Sequence, residues 1–266
     1  MSFLDAFGAA LAAALLGGAS AGLLGVLVVG LRLPFLAVAA AHAALAGAVF
    51  ADLLGAPHLA GAFLGALAGA LVLGALLRRR DLDPNAALGA LFSLTLGLAF
   101  LGIGLGRGPK TAALSLMWGS LLFATRLQLA AMTIVAAALL FFVVVFRREL
   151  KLLLFSRQLA ALLIPEGPFF AGFLVLASGV VAVDLEIVGG LLLYSLLANP
   201  AVASLALARS FRGALILGAA FGAASALLGF AAAYFLDAPV GATIVLASSA
   251  LVGAAWLVAK ARRDGR

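Results

Sequence analysis

Residues Pro34–Arg80 read PFLAVAAAHAALAGAVFADLLGAPHLAGAFLGALAGALVLGALLRRR. Between Pro34 and Arg78 the only ionisable side chains are His42, Asp52 and His58. Two apolar runs, 35–54 and 57–78, are separated by Gly55-Ala56-Pro57 alone and stop on Arg78-Arg79-Arg80. Each run has the roughly 20 residues that a helix needs to cross about 30 Å of hydrocarbon. A helix is favoured there because it satisfies its own backbone hydrogen bonds where no water can. Gly61, Gly65 and Gly69 recur at every fourth position, which makes a smooth helix face that a neighbour can approach closely. The stretch reads as a tight helical hairpin inside a lipid bilayer.

The rest of the chain repeats this pattern. Of 266 residues, 66% are hydrophobic and 10% charged, more apolar surface than a soluble domain of this size can bury. Apolar segments fall at about 8–30, 35–54, 57–78, 85–106, 127–147, 167–184, 187–207, 213–235 and 239–260. Pro34, Pro57, Pro84, Pro168 and Pro239 stand at or near segment starts, where a missing N–H costs little. The expectation is all-α: a polytopic transmembrane bundle of eight or nine spans, with residues 1–266 forming one transmembrane domain. No hydrophilic stretch is long enough for a nucleotide site, and no Gly-rich loop ends in Lys-Ser or Lys-Thr. The absence of cysteine excludes disulfides and thiolate ligands. The first apolar run lacks a basic leader and is longer than a signal-peptide core, so it reads as a retained span.

A net charge of +7 suggests nucleic acid in a soluble protein. Here the charge sets orientation instead, and no nucleic-acid partner is expected. Arg32, Arg78, Arg79, Arg80, Arg147, Arg148, Lys151, Arg157, Arg209, Arg212, Lys260, Arg262, Arg263 and Arg266 fall on one side of a nine-span chain. Only Arg107, Lys110 and Arg126 fall on the other. The first set is therefore cytoplasmic, with the N-terminus outside and the C-terminus inside. Three connections stand out. Residues 107–126 could hold a short non-spanning helix, and Arg147–Glu166 reads as a cytoplasmic amphipathic connection. Asn199-Pro200 interrupts segment seven, so the chain either restarts there as a short docking helix or merely kinks before a loop.

Four segments, in order, resemble one family: the permease subunits of the ABC importers for zinc, manganese and iron. Pro34-Phe-Leu-Ala-Val-Ala-Ala-Ala-His42-Ala-Ala-Leu-Ala-Gly47 resembles its Gly-Asp-x-x-x-His-(Ser/Ala)-x-x-x-Gly segment. Leu116-Met-Trp-Gly119-Ser120-Leu-Leu is similar to its Leu-Phe-Gly-Ser-Leu-Leu. Val188-Gly189-Gly-Leu-Leu-Leu-Tyr-Ser-Leu-Leu-Ala-Asn-Pro200-Ala-Val-Ala resembles its Val-Gly-x-Leu-Leu-x-x-x-Leu-Leu-x-x-Pro-Ala-Ala-Thr-Ala. Asp237-Ala-Pro239-Val-Gly241-Ala-Thr-Ile-Val-Leu246 resembles its Asp-x-Pro-x-Gly-x-x-Ile-Val-Leu ending. The resemblance implies a type II importer in the cell (inner) membrane. Two permease copies would form a homodimer over two cytoplasmic ATPase subunits, and an extracytoplasmic binding protein would deliver the metal. It further implies ATPase docking around Asn199, Pro200, Arg209 and Arg212. ATP would be consumed in the partner, and this chain would bind no cofactor of its own. Ala37 and Val38 stand where the family has glycine and aspartate.

His42 lies mid-segment, where an ionisable group is costly and faces a cavity or a partner. Neutral imidazole suits zinc, manganese or iron, although a histidine that only bonds a neighbouring helix fits the same pattern. Asp52, His58, Asp184, Glu186 and Asp237 fall toward the outer side, where carboxylates would concentrate incoming cations. Asp184 and Glu186 are two apart and diverge on a helix. Glu186 is the better ligand at a segment start, and Asp237 holds a turn or caps a helix. No Ser-His-Asp set and no His-Glu-x-x-His helix can be assembled, so catalysis by this chain is not expected. A metal chelate as cargo and an ion-coupled secondary carrier remain alternatives. The carrier lacks the paired intramembrane acids and internal repeat it would need.

Overall fold

The computed structural model describes residues 3–31, 35–76, 83–106, 119, 121–155, 160, 163 and 166–264. Arg32, Pro34, Arg78–Arg80, Arg107, Lys110, Leu116–Trp118, Ser120, Arg157 and Arg266, and most of the 107–126 connection, lie outside them. Ten α-helices and no strand occur among the described residues: α1 (Phe3–Gly30), α2 (Phe35–Leu53), α3 (His58–Leu76), α4 (Pro84–Leu105), α5 (Arg126–Val145), α6 (Arg147–Phe155), α7 (Glu166–Val188), α8 (Gly190–Leu207), α9 (Phe211–Leu236) and α10 (Val240–Asp264). Seven of them are long and apolar enough to cross a membrane, and shorter apolar helices cover Val38–Leu53 and Leu192–Leu207. These correspond one for one to the nine apolar segments.

Small residues line the closest helix contacts, and many large apolar ones point outward. A Cβ on Gly22 would collide with the Gly218 carbonyl, and one on Gly18 with the Gly222 carbonyl. The α1 and α9 backbones therefore touch, antiparallel. In the α2–α3 hairpin Gly47 lies on Gly61 and Gly65, and Gly65 on the Ala43 carbonyl. Leu64, Leu101, Phe141, Leu228, Phe235 and Leu257 point outward. In lipid the outer face gains nothing by hiding leucine, so helix contact depends on close backbone approach.

Local signals fix the helix ends. Asp83 accepts from the Ala86 N–H and opens α4 (3.0 Å). Thr125 and Gln128 form a reciprocal capping box at the start of α5, satisfying N–H groups that the helix itself cannot. Asp237 adopts φ 50 at the C-cap of α9, a structural role. The amphipathic connection is present as α6, with Leu150 and Leu153 buried and Arg147, Arg148 and Lys151 exposed.

Two expectations are corrected. Asn199-Pro200 neither breaks the chain nor starts a short helix, since α8 runs unbroken with Pro200 inside it. Small neighbours (Ala198, Ala201, Ala203) leave room for the ring. The Asn199 amide also donates to Ser248 Oγ of α10 at 2.9 Å and to Ser249 Oγ at 3.2 Å, tying α8 to α10. The real discontinuity is Gly189, at φ 91, a backbone state that favours glycine. It forms an elbow between α7 and α8. Segment six therefore continues past residue 184 to Val188, and Asp184 and Glu186 lie within a helix.

Candidate functional site

His42 is partly buried on α2. Its Nδ1 lies 2.9 Å from the Val38 carbonyl oxygen. A carbonyl can only accept, so Nδ1 carries the proton and Nε2 presents its lone pair. The ring packs edge-on against Phe92 of α4, centroids 4.9 Å apart. Backbone and aromatic ring together set both tautomer and orientation. A ring held through its Nδ1–H is the arrangement that suits Nε2 for binding a metal ion. Val38, the residue without the family's carboxylate, contributes through its backbone.

Asp52 and His58 close the α2–α3 hairpin, with His58 Nε2 3.3 Å from Asp52 Oδ1. Both are well exposed, so as an ion pair they contribute under about 1 kcal/mol. They stand about ten residues from His42, roughly 15 Å along α2 at about 1.5 Å per residue.

Asp184 is completely buried. Ser20 Oγ donates to its Oδ2 at 3.0 Å, and its Oδ1 has no partner among the described residues. Ser20 lies near the middle of the Phe7–Gly30 span, roughly 20 Å below Phe7 along the helix. Asp184 is therefore deep in the bundle, not at an outer span end. Nearby, a Cβ on Gly17 would come within 2.9 Å of both Met132 and Val188. The α7–α8 elbow thus also lies inside the depth of the bundle, and this explains why α8 is short. Gly119, at φ 81, lies directly over the Val188–Gly189 peptide.

Glu186 turns to another neighbour. Gln128 Nε2 donates to its Oε1 at 3.2 Å, while Gln128 Oε1 accepts from the Thr125 N–H at 2.9 Å. Asp184 thus ties α7 to α1, and Glu186 ties α7 to α5. Among the described residues no three His, Cys, Asp or Glu side chains gather to hold an ion. His42, Asp52, Asp184 and Glu186 are thus not gathered into one ligand set among the described residues.

At the opposite end Pro200 is buried, Asn199 partly so, and Arg209 and Arg212 are exposed. Arg262 Nη1 of α10 reaches the Leu207 carbonyl at 3.5 Å, at the end of α8. The sequence reading overlooked Ser20, Phe92 and Gln128, and counted Arg262 only among the charges that set orientation. Ser20 had a usable signal, as the one polar side chain in residues 8–30.

The model of the family described as "ABC 3 transport family" matches residues 4–259. The manganese transport system membrane protein MntC of Halalkalibacterium halodurans is 29% identical over 248 residues, covering 93% of this chain and 85% of that one. The zinc transport system membrane protein TroC of Treponema pallidum is 32% identical over 228 residues, 80% of this chain and 74% of its own. Among solved structures, PsaBC from Streptococcus pneumoniae in complex with Fab matches with a TM-score of 0.84 at 24% identity, covering 96% of this chain and 94% of that one. Nine apolar helices among the described residues, in the same overall arrangement as that solved structure, and a family model that matches residues 4–259 make this chain an integral multi-pass membrane protein that belongs to the ABC 3 transport family.

Proposed function

We propose that the chain is the permease of an ATP-driven importer for a divalent metal, zinc or manganese. It works as a homodimer, its 266 residues forming one permease domain. Two cytoplasmic ATPase subunits supply the energy, and an extracytoplasmic binding protein supplies the ion. The relatives named for manganese and zinc support this cargo. The observation that carries it is the half-buried His42, whose Nδ1 is bound to the Val38 carbonyl, leaving Nε2 to face a divalent transition-metal cation. An ion held by few ligands can leave as readily as it enters, which transport requires. Asp52 and Glu186 serve the entrance, and Asp184 braces the helices deeper in the bundle. The segment from Asn199 and Pro200 to Arg209 and Arg212 meets the ATPase.

The test is metal uptake by cells expressing the full system, with His42→Ala matched to wild type for membrane abundance. Zinc or manganese uptake is expected to fall at least tenfold, and uptake equal to wild type would remove His42 from the path. Val38 in the aspartate's place favours a second reading, in which the cargo is a metal chelate bringing its own ligands. Uptake of chelated metal that exceeds uptake of the free ion would select it.

A further inference from the structure

A groove of about 370 Å³ runs between α5 and α9. Its walls include Leu140 and Val144 of α5 and Ile216 of α9, with Leu23 of α1 behind them, and Arg147 and Arg212 stand along it. Leu140, Val144 and Ile216 are each more than half exposed, so the groove opens to the hydrocarbon that surrounds the bundle. Arg147 is the first residue of α6 and Arg212 the second of α9, so two helix N-termini border the same end. Ser210 Oγ takes the Gly213 N–H at 3.1 Å. The first N–H groups of α9 ahead of it have no partner within the helix, and such groups favour an anion. No acidic residue lines the groove. Glu149, two residues beyond Arg147 on α6, is the nearest acid in sequence and is not part of the lining.

We propose that this groove seats one anionic phospholipid of the cytoplasmic leaflet. Its phosphate lies between the Arg147 and Arg212 guanidinium groups, and an acyl chain lies along Leu140, Val144 and Ile216. Two guanidiniums and two helix starts at one end of an apolar trough match an amphiphile with a negative head. Basic pockets between spans on the cytoplasmic side are suited to such headgroups. A second copy of the chain fits less well, because a two-fold contact there would bring four arginines together with no acid between them. The site rests on the groove alone and is independent of what His42 carries.

The experiment is native mass spectrometry of the full chain, delipidated in detergent and offered phosphatidylglycerol or phosphatidylcholine with matched acyl chains. Wild type is expected to retain phosphatidylglycerol at least tenfold better. Arg147→Gln and Arg212→Gln should each lower that retention about fivefold, while Arg148→Gln leaves it unchanged. Val144→Trp, which fills the trough without altering charge, should also lower it. Equal retention of the two lipids by wild type would overturn the proposal without recourse to any variant. So would an equal loss in Arg148→Gln, full retention by Val144→Trp, or soluble glycerol phosphate competing as well as the lipid. Cross-linking of two copies through Ile216→Cys in native membranes would give the groove to the dimer instead. Metal uptake by Arg147→Gln separates this site from the transport reading, since loss of lipid with uptake retained leaves that reading intact.

Discussion

One hydrogen bond decides what His42 can offer. With Nδ1 tied to the Val38 carbonyl, the ring resists flipping and its free nitrogen keeps one direction. His42→Gln can supply an oxygen at similar reach but not this tautomer lock, so uptake should recover only partly relative to His42→Ala. Asp184 allows a cleaner measurement. Removing Ser20 Oγ leaves a completely buried carboxyl group without its hydroxyl, at a cost of about 1–3 kcal/mol. In a double-mutant cycle of Ser20→Ala and Asp184→Ala, thermal unfolding in detergent should give a coupling of about 1 kcal/mol or more. Strictly additive effects would mean the contact contributes nothing. The polar residues themselves were legible in the sequence, because an acid or imidazole in an apolar run stands out. Their partners were not. Ser20 is 164 positions from Asp184, and helix periodicity says nothing about which faces meet.

Among the elements, the spans could be read because apolar runs, prolines and basic stops coincide. The α7–α8 elbow could not, because Gly189 is one of 31 glycines and most of those serve close packing. Pro200 was the stronger visible breaker, yet it lies inside a continuous helix braced by Asn199. Pro200→Ala is therefore expected to leave the thermal midpoint unchanged or raise it. Gly189→Ala, forced into a φ of 91, should cost about 1–3 kcal/mol. A melting curve for each variant checks the contrast, and a reversed order would move the break back to Pro200. Gly22→Val tests the α1–α9 contact. Its Cγ atoms have no room beside the Gly218 carbonyl, so folding yield should drop well below that of Gly253→Val, where nothing stands within 4 Å.

For the whole molecule, the fourteen-to-three split of lysine and arginine predicts both termini. The chain has no cysteine, so Ser2→Cys and Asp264→Cys each make a single reporter. In intact spheroplasts a membrane-impermeant maleimide should label position 2 and not 264, and permeabilisation should expose 264. Labelling of both before permeabilisation would require an even number of spans. Mild solubilisation of cells carrying the complete system should also bring down a nucleotide-hydrolysing subunit at near one-to-one ratio. Its consistent absence from a transport-competent preparation would favour the secondary carrier.

Where Gly18 and Gly22 rest on Gly222 and Gly218, few and small side chains cross the seam, Val26 lying on Gly218 and Ala226 on Gly18. Shear between packed helices is small sliding of this kind, and short side chains obstruct it least. A leucine ratchet in the same place would have to climb out of its notches at every cycle. Glycine here thus does more than pack, since it leaves α1 and α9 a seam with little in the way of small shear.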